Sequence, residues 1–185
     1  MCRKSLCSLA CLLVLSAGPL AGKETSWKVG LARVKITPEQ PVFMAGYASR
    51  DRPFAEVHDD LFAKAIVLVD ERGTRAALVT TDLIGLTAET ADPIRRRIEE
   101  QTGIPAASVL LSSSHTHTGP TLTLDPTPGE GRSLADNERT VAYTKGLQDK
   151  LVQVVVQAAK DPQPARLRAA STAWLSGDNR AEYGS

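Results

Sequence analysis

The sequence predicts an α/β fold, a layered mixed β-sheet flanked by helices, and three features carry that prediction. Short β-branched runs alternate with stretches of helical periodicity, one turn joins two of the runs as a hairpin, and no linker divides the 185 residues. Strands separated by helices pair parallel, whereas the hairpin demands an antiparallel pair, so the sheet is mixed.

Residues 29–36 place Val29, Leu31, Val34 and Ile36 before Thr37-Pro38, a strand ended by a turn. Met44-Ala45-Gly46-Tyr47, followed by polar residues 48–53, reads as a loop. The runs 62–69 and 75–81 are apolar and β-branched, and Asp70-Glu71-Arg72-Gly73 between them is hairpin chemistry that pairs them antiparallel. Ala91, Ile94 and Ile98 then recur at helical spacing, with Pro93 suited to a first turn, Arg95, Arg96 and Arg97 on the wet side, and Gly103 with Pro105 as the stop. Residues 109–111 read as a buried strand leading into Ser112-Ser113-Ser114-His115-Thr116-His117-Thr118-Gly119-Pro120. Proline, glycine and charge make residues 122–136 an exposed loop. Asn137 is the expected N-cap of a long helix whose stripe of Val141, Thr144, Leu147, Leu151, Val154, Val155 and Ala158 packs the core until Asp161-Pro162 ends it. Residues 166–173 read as a further strand.

A hydrophobic fraction of 42% and a charged fraction of 23% belong to a globular chain and exclude disorder or a fibre. The first 22 residues differ: Arg3 and Lys4 precede an apolar run over residues 6–15, too short to span a bilayer, and a small-residue stretch. Residues 1–22 therefore read as a signal peptide, which places the product outside the cytoplasm, secreted or periplasmic, with no transmembrane segment after cleavage. Cys2, Cys7 and Cys11 all lie in that segment, so the mature chain has no thiol chemistry and no disulfide. Removing Arg3 and Lys4 from the 22 basic residues leaves 20 against 21 acidic ones, a balance that does not call for nucleic acid. Oligomeric state has no signature in the sequence.

Among the three histidines, His115 and His117 are one residue apart at a strand end. In extended backbone such residues share a face, so both imidazoles reach one cleft, where neutral imidazole is a zinc ligand and a proton acceptor. The neighbouring Ser112, Ser113, Ser114, Thr116 and Thr118 are able to orient the rings. A surface turn or a hydrogen-bonded structural pair fits the same spacing. A catalytic zinc takes three protein ligands, and those here would have to come from His58, Asp59, Asp60 or Asp82, or from outside this chain. His58 reads as structural or as a loop residue; Asp82 reads either as support for the site or as a residue at the start of the next helix.

The string Ser113-Ser114-His115-Thr116-His117-Thr118-Gly119-Pro120 resembles the Gly-Thr-His-Thr-His-Ser-Gly-Pro signature of the neutral, non-lysosomal ceramidases. Other pieces agree in order: Val29-Gly30-Leu31-Ala32-Arg33-Val34-Lys35-Ile36-Thr37 resembles the family's opening strand, and Met44-Ala45-Gly46-Tyr47 its Met-Gly-Tyr loop. Val57-His58 with the strand after it is similar to the family's Ile-His segment, and Thr80-Thr81-Asp82-Leu83 to its Ser-Ala-Asp-Leu.

The resemblance implies a zinc amidase that hydrolyses N-acylsphingosine-like lipids to a fatty acid and a long-chain base. It would make His115 a ligand of one Zn2+ ion, His117 a catalytic neighbour touching substrate or the attacking water, and Arg180, in Asn179-Arg180, a contact for the substrate's polar head. Family members continue far past this point, with a second zinc histidine, a carboxylate and a tyrosine ligand. Residues 23–185 are thus expected to be the incomplete N-terminal portion of a larger hydrolase domain, its other ligands beyond residue 185 and its activity absent in isolation. Two alternatives stay open: a non-catalytic secreted binding module of the same fold, and a zinc hydrolase of another ester or amide, to which the polar Arg50, Asp51 and Arg52 point.

Overall fold

The computed structural model describes residues 27–168. Five strands, β1 (Trp27–Lys35), β2 (Phe62–Val69), β3 (Arg75–Thr81), β4 (Val109–Ser113) and β5 (Gln163–Ala165), form one sheet in the order β4-β3-β2-β1-β5. Helix α1 (Ala88–Thr102) and a short 3-10 turn (Ala106–Ser108) connect β3 to β4, and α2 (Leu134–Lys160) connects β4 to β5. The sheet is mixed as expected: β3 and β4 run parallel and the remaining neighbours antiparallel.

The hairpin forms where its turn chemistry puts it. Asp70 Oδ1 accepts from the backbone N–H groups of Arg72 (2.9 Å) and Thr74 (2.7 Å), while Gly73 takes a left-handed φ of 83°. Both long helices, by contrast, start earlier than their apolar stripes indicate. Thr87 caps α1 by accepting from Thr90 N–H at 3.3 Å, so Pro93 lies inside the helix rather than in its first turn. Ser133, not Asn137, caps α2, accepting from Asp136 N–H at 3.1 Å. Asn137 is buried one turn inside, where its Nδ2 donates to the Asp125 carbonyl at 2.9 Å and ties down the preceding loop. Gly103, with φ 71°, ends α1 as expected by returning its N–H to the Glu99 carbonyl.

Alternation along the strands sends Ala63, Ala65, Val67, Ala77, Val79 and Val109 into one face, where they pack with Ile94 and Ile98 of α1 and Leu147, Leu151, Val154 and Val155 of α2. Gly30 allows the close approach: a Cβ there would overlap the Ala158 carbonyl oxygen of α2. Both helices lie on this face. On the other, Leu31, Ile66, Leu78 and Leu110 are register partners in one row across four strands, with Leu31 70% and Leu110 60% exposed. Strand β4 is therefore a half-exposed edge, not the buried strand its apolar run predicts, because its outward leucine meets no helix among the described residues. The last described strand is Gln163–Ala165; of the strand expected over 166–173, residues 166–168 are not in a strand and 169–173 lie outside the described residues. No described helix is long and apolar enough to cross a membrane.

Tyr143 fastens α2 to the end of β1, its hydroxyl donating to the Ile36 carbonyl at 2.6 Å. Burial pushes its phenol pKa well above the ordinary value. The folded chain resists losing a proton that the unfolded chain releases near pH 10, so this contribution is complete below about pH 10 and is lost as pH rises further. Tyr143→Phe should cost about 1 kcal/mol near neutrality. In urea titrations the deficit should narrow at strongly alkaline pH; a deficit that does not change with pH would contradict the burial.

Candidate functional site

Strand β4 brings the histidine segment to the sheet's edge. Thr81 Oγ1 and Ser113 Oγ meet at 2.9 Å, and Ser114 N–H donates to the Thr81 carbonyl at 3.0 Å, carrying the parallel pairing one residue past the strand. The backbone then breaks at His115, whose φ of 60° is the described residues' only positive value outside glycine. The two imidazoles face each other, ring centroids 5.3 Å apart and planes at 64°. They meet through this turn, however, and not through the same-face rule of extended backbone.

His115 has a fixed tautomer. Its Nδ1 lies 2.8 Å from the Ile84 carbonyl oxygen, and since a carbonyl can only accept, the proton of the neutral ring sits on Nδ1 and the Nε2 lone pair is bare. That is the state in which a histidine binds a metal, held by the backbone contact that orients such ligands. Three of the five hydroxyls expected to orient the rings act elsewhere: Ser113 bonds Thr81 at 2.9 Å, and Thr116 bonds Thr118 at 2.7 Å across the turn. Ile84 acts through its carbonyl, so its side-chain identity gave no signal.

Opposite the turn lies the 44–47 loop, joined to it as a two-stranded clasp by a Met44–Pro120 bridge, Ala45 N–H to the Gly119 carbonyl (2.9 Å) and Thr121 N–H to the Phe43 carbonyl (2.7 Å). Tyr47 sets its ring edge-on to His117 with centroids 5.0 Å apart. Gly46 has φ 103°, and a Cβ there would fall 2.5 Å from His117 Cβ. Arg50 Nη1 donates to the carbonyls of Ala45 and His117, the latter at 2.6 Å, with the guanidinium carbon 4.8 Å from the Tyr47 ring centroid. Arg50 is thus engaged with backbone and ring. Beside the clasp opens a pocket of about 420 Å³ whose wall includes Met44, Phe54, Val57, Leu61 and Pro120.

The other proposed ligands do not join the pair. His58 is exposed beside Glu56 at 3.2 Å. Asp60 is engaged by Lys35 and Thr37, each at 2.9 Å, and these bonds hold its carboxyl below the usual carboxylate range. Asp59 is exposed along the pocket wall. Asp82 closes the β2–β3 ladder, exchanging bonds with Phe62 through Oδ2 (2.8 Å) and its own N–H (3.0 Å), and α1 begins six residues later. Among the described residues no three His, Cys, Asp or Glu side chains gather as a metal site. Asn179 and Arg180 lie outside the described residues.

A mixed sheet that ends an edge strand in two facing imidazoles, one with its tautomer fixed, defines an α/β protein with a histidine-based site at a strand end. The family model described as neutral/alkaline non-lysosomal ceramidase, N-terminal, matches residues 27–183, and the chain belongs to this family. Neutral ceramidase A of Dictyostelium discoideum is 30% identical over 168 residues, covering 86% of this chain and 23% of that protein. The neutral ceramidase of Pseudomonas aeruginosa is 29% identical over 116 residues, covering 60% and 17%. A solved ceramidase complexed with C2 superposes with a TM-score of 0.62 at 24% identity, over 76% of this chain and 22% of its own, which establishes the shared fold. The chain thus spans less than a quarter of the length of these relatives.

Proposed function

We propose that the chain is the N-terminal part of a zinc-dependent amide hydrolase acting on N-acylsphingosine-like lipids outside the cytoplasm, with residues 1–22 as its signal peptide. The observation that carries the metal assignment is the Nδ1–H bond of His115 to Ile84, which leaves Nε2 as a donor of the right chemistry. The described residues fit part of a zinc site, with His115 as one ligand and the rest supplied from outside residues 27–168. Residues 23–185 alone would then lack turnover.

Bound zinc supplies Lewis acidity toward an amide carbonyl and water. His117 faces His115, and among the described residues no hydrogen bond engages its ring, so it is placed to take a proton from the attacking water and return it to the departing amine nitrogen. The apolar pocket beside the turn suits a hydrocarbon chain of the substrate. Arg180 is assigned to the substrate's polar head by the family resemblance alone.

Elemental analysis tests this reading on the 185-residue chain and on the longest polypeptide its gene encodes, each beside His115→Ala. The longer protein should hold about one zinc and lose it with the substitution. If no form binds zinc, the metal assignment is wrong and a binding module of the same fold takes its place.

A further inference from the structure

The two imidazoles have different anchors. His115 is held from the β3–α1 connection by the Ile84 carbonyl. The His117 ring makes no hydrogen bond among the described residues; besides His115 it is bounded by the Tyr47 edge and by the space over Gly46. Both of these constraints belong to one loop, so His117 is only as well placed as that loop.

Arg50 closes the loop. A single nitrogen, Nη1, serves the carbonyls of Ala45 and of His117, the latter 67 residues from Arg50 in sequence. The same guanidinium lies over the Tyr47 ring, and Arg50 N–H donates to the Tyr47 carbonyl at 3.3 Å. Charge-assisted bonds from one nitrogen combine with a cation–π contact from the planar guanidinium, so that one side chain ties both carbonyls and the Tyr47 ring together.

We propose that Arg50 is a positioning residue that clamps the 44–50 loop onto the histidine turn and, through Tyr47, sets the angle of the His117 ring against His115. The proposal deepens the hydrolase reading and rests on it for the catalytic meaning of that angle, but the geometry is testable without zinc. In the 185-residue chain labelled with 15N-histidine, the wild type should show NOEs between the Tyr47 and His117 rings and the Nδ1–H tautomer pattern for His115. Arg50→Ala should abolish those NOEs and move the His117 ring signals toward unstructured values while leaving the His115 pattern intact.

Persistence of the NOEs would overturn the proposal, as would parallel changes at both histidines, which a general loss of structure produces and a positioning role does not. Should Arg50→Ala fail to fold, Arg50→Met, which keeps an apolar stem and removes every donor and the charge, carries the comparison: a loss confined to His117 supports the clamp, and wild-type NOEs refute it. Absence of zinc from every form, with the spectra behaving as expected, would remove the hydrolase reading and leave the clamp standing.

Discussion

Gly30→Val is expected to unfold the chain or to lift the end of α2 from the sheet. A Cβ at residue 30 would lie 1.7 Å from the Ala158 carbonyl oxygen, a backbone atom that no rotamer change can move. Relief requires α2 to shift away from β1, and that shift opens the packing of Val154, Val155 and Ala158 against the strands. Overpacking at a site this tight costs about 3 kcal/mol, and the variant adds two methyl groups to the first offending carbon. A melting temperature lowered by roughly 10 °C, or no cooperative transition at all, is the expected result by circular dichroism. A valine variant that melts within a degree or two of the wild type would show that the helix does not sit on Gly30.

That contact was invisible in the sequence, where Gly30 is one small residue inside a strand pattern. What the sequence made legible were elements whose signal is local. The hairpin could be placed because Asp70 and Gly73 specify the turn between them, and the α2 stripe because Leu147, Leu151, Val154 and Val155 repeat at the helix period. The helices start earlier than the sequence indicates because Thr87 and Ser133 cap from polar stretches before the apolar stripes begin, whereas Pro93 mimics a first-turn residue and Asn137 a cap from inside. The apolar run of β4 does not reveal that the strand would stand at an edge, since edge or centre is decided by neighbours distant in sequence.

The site divides in the same way. The histidine pair could be located from its spacing and its family-like context, and the structure brings the two rings together. The residues that position them are not legible: Ile84 contributes a carbonyl, which every residue has, and Arg50 lies in an irregular loop, where its charge points to a more polar substrate although the side chain is engaged with backbone and the Tyr47 ring. Asp60 and Asp82 carried the right chemistry for ligands but are engaged in holding Lys35, Thr37 and the Phe62 backbone. A carboxylate in a sequence does not announce whether its lone pairs are already spent.

Gly46→Ala separates the contributions at the clasp. Gly46 and Gly73 both have positive φ, 103° and 83°, so alanine strains the backbone at either position. At Gly73 a Cβ meets nothing within 4 Å, and the cost should be the backbone's alone, about 1–2 kcal/mol. At Gly46 it would also collide with His117, 2.5 Å from its Cβ, which raises the expected loss to about 3 kcal/mol. The excess of Gly46→Ala over Gly73→Ala in urea denaturation therefore measures how tightly the loop packs on the histidine, and it should be accompanied by displaced His117 ring signals and an unchanged His115. Equal losses in the two variants would mean that the loop does not rest on His117, and the placement of that ring would then have to come from residues outside the clasp.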